Sequence, residues 1–214
     1  MTIHKNKCIL TVSFAGIVFL IMAFGVKTNP NWFLKFDQFL QQIIQQHNTF
    51  TNEFFISMTN VGSVSAVMLV SAGTSVYLIY KHHYRELLFL LFNIIISTGV
   101  ITQVIKHLIK RPRPQPQLIL ESGYSFPSGH SMATILLYGS LIVLISYHFN
   151  PSILKKVSLV ILMSFIVIIP ISRVFVNVHY PSDVIAGISL GYVLLTLSRF
   201  FFLDLHLFFK RSSS

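Results

Sequence analysis

Residues 87–105 read LLFLLFNIIISTGVITQVI, a run of 19 residues without a charged side chain. A helix of about 20 apolar residues is long enough to cross the hydrocarbon core of a bilayer. Glu86 precedes this run and Lys106 follows it. The run therefore predicts one membrane-spanning helix with a charged residue at each end.

Five more uncharged stretches occur on either side of this run. They are residues 8–26, 54–80, 131–147, 157–172 and 184–198. Most approach the length that spans a bilayer, and apolar residues continue past Arg173 and Arg199 beyond the two shortest. We therefore predict an all-α integral membrane protein with six transmembrane helices, folded as a single domain over residues 1–214.

The composition agrees with a membrane protein. Hydrophobic residues make up 53% of the chain and charged residues 10%, against about 25% charged residues in an average soluble domain. This excludes an ordinary soluble globule and a disordered chain, and the continuous apolar runs differ from the alternating pattern of barrel strands. The net charge of +10 does not indicate a nucleic-acid partner, because no stripe of basic and aromatic residues lies outside the apolar runs.

The basic residues predict the orientation of the helices, because lysine and arginine favour the cytoplasmic side. With both termini in the cytoplasm, the inner segments hold Lys5, Lys7, Lys81, Arg85, Lys155, Lys156, Arg199, Lys210 and Arg211. The outer segments hold Lys27, Lys35, Lys106, Lys110, Arg111, Arg113 and Arg173. Most of these outer cations lie within residues 106–113 or at position 173, and binding of an anion is the simplest reason for them.

The first outer loop contains an amphipathic segment. Between Trp32 and Ile44, apolar residues recur at helical spacing and glutamines fill the other face. This pattern predicts an extracytoplasmic helix between transmembrane helices 1 and 2. Two interpretations remain open, an interfacial helix beside a lipid-accessible site and a helix packed across the ends of the others.

Three polar clusters fall at the outer ends of the predicted helices. They are residues 106–114 (KHLIKRPRP), residues 127–130 (PSGH), and residues 172–183, which contain Ser172, Arg173, His179 and Asp183. The predicted topology places all three on the same side of the membrane. They can therefore converge on one site.

The clusters contain the groups that phosphoryl chemistry requires. Guanidinium groups match phosphate oxygens, and the free N–H groups at a helix start favour an anion. A carboxylate four residues after a histidine can hold that imidazole in one tautomer, if the turn is helical, and leave the other nitrogen free to attack. The cations Lys106, Arg113 and Arg173, with Ser128 and Gly129, thus form a candidate phosphate cage. His179 is the candidate nucleophile, Asp183 its orienting partner, and His130 the proton donor.

The three clusters together resemble the type 2 phosphatidic acid phosphatase family, also called lipid phosphate phosphatases. The family's motifs are Lys-x6-Arg-Pro, Pro-Ser-Gly-His and Ser-Arg-x5-His-x3-Asp, and all three occur here in order over residues 106–183. The resemblance implies that His179 forms a phosphohistidine, that Asp183 activates it and that His130 protonates the leaving group. It also implies a site without a metal or other cofactor. Independently, Asp183 and Glu121 are the only carboxylates in or between the motifs, too few for a two-metal phosphatase.

The expected substrate is a membrane lipid with an exposed phosphate or diphosphate. Phosphatidylglycerophosphate, phosphatidic acid and undecaprenyl diphosphate all fit, and the sequence does not select among them or define an oligomeric state. The rival hypothesis is a non-enzymatic anion-binding membrane protein, such as a lipid transporter or scaffold, which would not need the histidines.

Four residues near the motifs have no predicted catalytic role. Lys110 and Arg111 are assigned either to a second phosphate or lipid headgroups or to solvated positive charge, and the second interpretation is preferred. Glu121 and Tyr124 are assigned either to the substrate headgroup or to loop packing.

Gly187 and Gly191 form a Gly-x-x-x-Gly pair, which indicates close helix packing within one molecule rather than a dimer contact.

Overall fold

The computed structural model describes residues 2–205, with side chains from residue 8 onward, and within these residues it contains helices and no strands. The helices are α1 (Thr2–Thr28), α2 (Asn31–Ile44), α3 (Thr49–Val61), α4 (Val64–Tyr80), α5 (Tyr84–Ile109), α6 (Gly129–His148), α7 (Ile153–Phe175) and α8 (Pro181–Asp204). Lys210 and Arg211, which entered the orientation argument, lie outside the described residues, as does the C-terminus.

Five of these helices are long and apolar enough to cross a membrane, namely α1, α5, α6, α7 and α8. The predicted span over residues 54–80 is divided between two helices, since α3 and α4 meet at a bend of 44°. The break follows from local chemistry: the Ser63 side chain caps α4 by accepting a hydrogen bond from the N–H of Ala66 at 3.3 Å. At Gly62, a Cβ would lie 2.5 Å from the side chain of Ile169. Five to six spans are therefore present, depending on whether the bent pair is one of them.

Helix α6 forms the centre of the bundle. In its most apolar 18-residue stretch, 61% of the residues are buried within the protein, compared with 6% in that of α1. Helices α5, α7 and α8 all pack against α6, and α1 packs on the outside of α8. A buried amide joins three of them, because Asn93 donates to Ser140 at 3.0 Å and accepts from Ser198 at 2.8 Å.

The glycine pair of α8 packs against α6. A Cβ at Gly187 would lie 2.7 Å from the backbone oxygen of Ser128, and one at Gly191 would lie 3.1 Å from the Cβ of Ile135. The two helices approach this closely only because these positions have no side chain. The Gly-x-x-x-Gly pair is thus a contact within one molecule, as the sequence indicates.

The amphipathic helix is present as α2 and lies across one end of the bundle, in contact with α7 and α8. Its Phe33 and Asp37 are buried, while Trp32, Phe39 and Ile43 remain exposed on the other side. The packing favours the second of the two interpretations of this helix. The exposed aromatic and aliphatic side chains keep a surface suited to a lipid interface.

Candidate active site

The three motifs meet at the same end of the bundle as α2. A cavity of about 540 Å³ opens there, lined on its polar side by five of the predicted residues: Lys106, Arg113, Gly129, His130 and His179. Apolar side chains of α4 and α5, among them Val67, Met68 and Ile94, form another part of its wall. Ser128, Arg173 and Asp183 do not line the cavity and lie buried.

His179 and Asp183 are close, but not for the reason that the sequence suggested. His179 precedes α8, which begins at Pro181. Asp183 lies in the first turn and folds back, so that its Oδ2 accepts a hydrogen bond from the N–H of Tyr180 at 2.9 Å. This capping contact leaves Oδ2 of Asp183 3.6 Å from Nδ1 of His179. The distance is slightly longer than a hydrogen bond, and Nδ1 has no other partner among the described residues.

The other imidazole nitrogen of His179 faces a cation. Nη1 of Arg113 lies 3.1 Å from Nε2 of His179. A guanidinium can only donate, so Nε2 accepts and the ring proton belongs on Nδ1, on the side of Asp183. Burial lowers the pKa of His179 to about 3, with Arg173 and Arg113 adding to the decrease and Asp183 opposing it. His179 is therefore neutral at physiological pH, with an unprotonated Nε2 at the cavity.

Arg113 and Arg173 share one carboxylate. Glu121 Oε1 accepts a hydrogen bond from Nη2 of Arg173 at 2.6 Å, and its Oε2 lies 3.7 Å from Nη2 of Arg113. Burial raises the pKa of Glu121, but the hydrogen bond and charge of Arg173 outweigh burial and keep the pKa below its ordinary value. Arg173 also donates to Thr59 at 2.5 Å, while its buried Nε has no partner among the described residues. Glu121 thus offsets part of the positive charge of the two arginines assigned to the phosphate and leaves a net positive charge for the ligand.

The remaining phosphate candidates lie in the last turn of α5 and at the start of α6. Lys106 donates to the backbone oxygen of Tyr124, which holds its ammonium group beside the cavity. Ser128 caps α6, and its Oγ accepts a hydrogen bond from the hydroxyl of Ser131 at 2.9 Å. Since the Ser128 side chain is fully buried, the backbone of Gly129 rather than the Ser128 hydroxyl borders the cavity.

The interpretation of Arg111 as a solvated charge is wrong. Its Nη1 donates to Oδ1 of Asp183 at 2.6 Å, and its Nη2 donates to Oδ2 of Asp37 at 2.7 Å. The ring of Tyr180 covers the guanidinium, with the ring centre 3.8 Å from Cζ. Lys110, in contrast, is exposed.

Asp37 of α2 belongs to the same network and was missed by the sequence analysis. Its carboxylate also accepts hydrogen bonds from the N–H and the hydroxyl of Ser182, at 2.8 and 2.7 Å. A signal was available, because Asp37 follows the apolar Phe33 by four residues on the helix and so falls on the face that packs inward. A carboxylate on that face requires a buried partner.

Comparison with known proteins agrees with the motifs. The family model described as "PAP2 superfamily" matches residues 86–206. Phosphatidylglycerophosphatase B of Bacillus subtilis (strain 168) is 31% identical over 193 residues, covering 86% of this chain and 91% of that protein. An undecaprenyl-diphosphatase of Sulfolobus acidocaldarius is 32% identical over 127 residues, covering 55% of this chain and 56% of the relative.

Solved structures give the same result for the fold. The crystal structure of the transmembrane PAP2 type phosphatidylglycerolphosphate phosphatase from Bacillus subtilis superposes with a TM-score of 0.76 at 29% identity, covering 89% of this chain and 95% of that one. Aquifex aeolicus LpxE superposes with a TM-score of 0.58 at 21% identity, covering 74% and 92%, and supports the fold alone. The resemblance seen in the motifs is confirmed, and the chain belongs to the PAP2 superfamily of membrane phosphatases.

Proposed function

We propose that this membrane phosphatase hydrolyses a lipid phosphate by way of a phosphohistidine on His179. The observation that carries the proposal is the contact between Nη1 of Arg113 and Nε2 of His179 at 3.1 Å. An unprotonated Nε2 of a neutral imidazole therefore lies at the cavity, and its lone pair is released for attack when the Arg113 guanidinium turns from Nε2 to the incoming phosphate. Nucleophile and anion site are therefore adjacent before substrate arrives.

Each step uses a group that borders or supports the cavity. The phosphoryl oxygens bind Arg113, Lys106 and the backbone N–H groups at the start of α6, and Nε2 of His179 attacks phosphorus. His130 gives its proton to the leaving oxygen and then takes one from the water that cleaves the phosphohistidine. Arg173 and Ser128 are buried next to the cavity and support the residues that line it. Asp183 stabilises the positive charge that develops on His179.

The same site supports a reaction that does not depend on a metal ion. Both carboxylates close to His179 are already engaged by arginines, Asp183 by Arg111 and Glu121 by Arg173. Oxygen ligands for a magnesium ion are therefore occupied. Cationic side chains instead supply the charge that neutralises the phosphate.

Phosphatidylglycerophosphate is the substrate we propose to test first, because the relative aligned over most of this chain carries the name of that activity. Undecaprenyl diphosphate is the second candidate, on the shorter alignment to the archaeal relative. The lipid chains are expected to lie against the apolar wall that α4 and α5 give the cavity.

The orientation in the membrane is part of the proposal. Helices α3 and α4 together form one bent span, which makes six spans with both termini in the cytoplasm. The cavity then opens on the extracytoplasmic face, with α2 lying along that interface. The exposed Trp32, Phe39 and Ile43 of α2 support this placement, since aromatic and aliphatic side chains suit the bilayer interface.

Phosphate release by purified protein in detergent tests the proposal. Wild type should release phosphate from phosphatidylglycerophosphate, phosphatidic acid or undecaprenyl diphosphate in the presence of EDTA, and rapid quench should trap an acid-labile, base-stable phosphoenzyme. His179→Ala should lose both signals, whereas His82→Asn, a histidine far from the cavity, should keep them. Turnover by His179→Ala would overturn the nucleophile, and binding of lipid phosphate without release would favour the anion-binding rival.

A further inference from the structure

A second group of titratable side chains lies at the end of the bundle opposite to the cavity. The candidate ligand atoms of His83, Glu86 and His148 all lie within 4.8 Å of one another. Nε2 of His148 is 3.4 Å from Oε1 of Glu86. The ring centres of His83 and His148 are 4.3 Å apart, with an angle of 37° between the ring planes. None of these residues takes part in the phosphatase site.

These distances suit a metal ion. In tetrahedral zinc sites the metal–ligand bonds are about 2.0–2.1 Å, which places neighbouring ligand atoms about 3.3 Å apart. The separation of 3.4 Å between Glu86 and His148 already matches this value. Two imidazoles and one carboxylate are ligands that zinc prefers, whereas magnesium and calcium prefer oxygen ligands alone.

The local fold presents the three side chains without other demands on them. His83 directly precedes α5 and its side chain makes no capping hydrogen bond. Glu86 lies in the first turn of α5, and His148 is the last residue of α6.

We propose that His83, Glu86 and His148 bind one zinc ion that joins the start of α5 to the end of α6. Three protein ligands leave the fourth position to water. His130 and His148 are separated by 18 residues of α6, or about 27 Å. The ion therefore cannot contact the phosphate, and its effect is on stability rather than on chemistry.

Calorimetric titration of zinc into tag-free, metal-depleted protein in detergent tests the site. One zinc per chain should bind and raise the melting temperature, while magnesium should leave it unchanged. His83→Ala and His148→Ala should each weaken zinc binding at least about tenfold, since even the loss of an outer partner of a metal ligand costs about 10- to 100-fold. The neighbouring His82→Asn is the matched control and should bind zinc as wild type does.

A simple ion pair between Glu86 and His148 makes a different prediction. Its loss would lower the melting temperature of His148→Ala below that of wild type by the same amount in EDTA and in zinc, whereas loss of a metal site makes this decrease larger in zinc than in EDTA. If either alanine variant fails to fold, Glu86→Gln gives the same comparison of melting temperatures in EDTA and in zinc, because glutamine keeps the shape of glutamate. Equal zinc affinity in wild type and variants, or no binding at all, overturns the proposal. Phosphate release in EDTA reports the phosphatase separately, so failure of one proposal does not affect the other.

Discussion

Asp37 and Arg111 are separated by 74 positions in the chain, yet Nη2 of Arg111 donates a hydrogen bond to Oδ2 of Asp37 at 2.7 Å inside the protein. The same guanidinium holds Asp183 through Nη1. Arg111 therefore connects α2 to the carboxylate that faces His179. Helix α2 therefore supports the candidate active site and also covers the end of the bundle.

We predict that Asp37→Asn lowers kcat by about 100-fold, the cost of a displacement of about 1 Å at the reacting groups. Loss of the Asp37 charge allows Arg111, and with it Asp183, to move away from His179. KM should change much less, because neither Asp37 nor Arg111 borders the cavity. Steady-state kinetics checks the prediction against Asp204→Asn, which removes a carboxylate paired with Arg199 elsewhere. An equal kcat for the two variants would contradict it.

Gly187→Ala should lower both the melting temperature and the rate of phosphate release. The new Cβ would lie 2.7 Å from the backbone oxygen of Ser128, so α8 must move away from the loop that begins α6. Overpacking of this kind costs about 1–3 kcal/mol. Gly73→Ala is the matched control, because nothing lies within 4 Å of the position of its Cβ. Similar melting temperatures for the two variants would mean that α6 and α8 adjust without strain.

The buried His179 should make the protein less stable in acid. Its pKa in the folded protein is about 3 because of burial, whereas a histidine in an unfolded chain has a pKa of about 6.5. Between these two values the unfolded state binds the additional proton, so stability decreases as the pH falls. Melting temperatures from pH 7 to pH 4.5 should therefore fall more steeply for wild type than for His179→Gln, which cannot be protonated. Parallel decreases would show that the imidazole is already exposed to protons in the folded protein.

His130→Ala should discriminate between substrates by their leaving groups. A lipid alkoxide leaves only if it is protonated, so this variant should lose about 10²- to 10⁴-fold in rate on a lipid phosphate. The phenolate of p-nitrophenyl phosphate departs with little protonation, and the loss should be much smaller. Phosphate release from both substrates gives the comparison. If the two losses are equal, His130 binds phosphate and is not the general acid.

Single cysteines should establish the orientation in the membrane. In a Cys8→Ser background, Gln46→Cys lies in the exposed connection between α2 and α3 at the cavity end, and Asn150→Cys lies in the exposed connection between α6 and α7 at the opposite end. An impermeant maleimide added to intact cells should label position 46, and position 150 should require permeabilised membranes. Reversed labelling would put the cavity in the cytoplasm, and labelling of both positions from the same side would overturn the count of six spans.

The sequence by itself determined the helical membrane fold and the five motif residues that line the polar side of the cavity. Apolar runs are local, and a run of about 20 residues needs no knowledge of its neighbours to predict a span. The motif residues Lys106, Arg113, Gly129, His130 and His179 also lie where the order of motifs along the helices predicts, at the same end of the bundle. The charged residues at the ends of the apolar runs indicate which helix ends contain the motifs.

Tertiary structure alone decided which charges are paired. Arg111 reads as one more basic residue in a loop, but it is buried because Asp37 and Asp183 are brought to it by the packing of α2 and α8. The same applies to His83 and His148, which are distant in sequence and meet only because α5 packs on α6. Burial of a charge is unfavourable without a partner, and a partner on another helix exists only after the helices pack. A linear pattern therefore predicts where a charge lies along a helix, while its partner depends on the packed bundle.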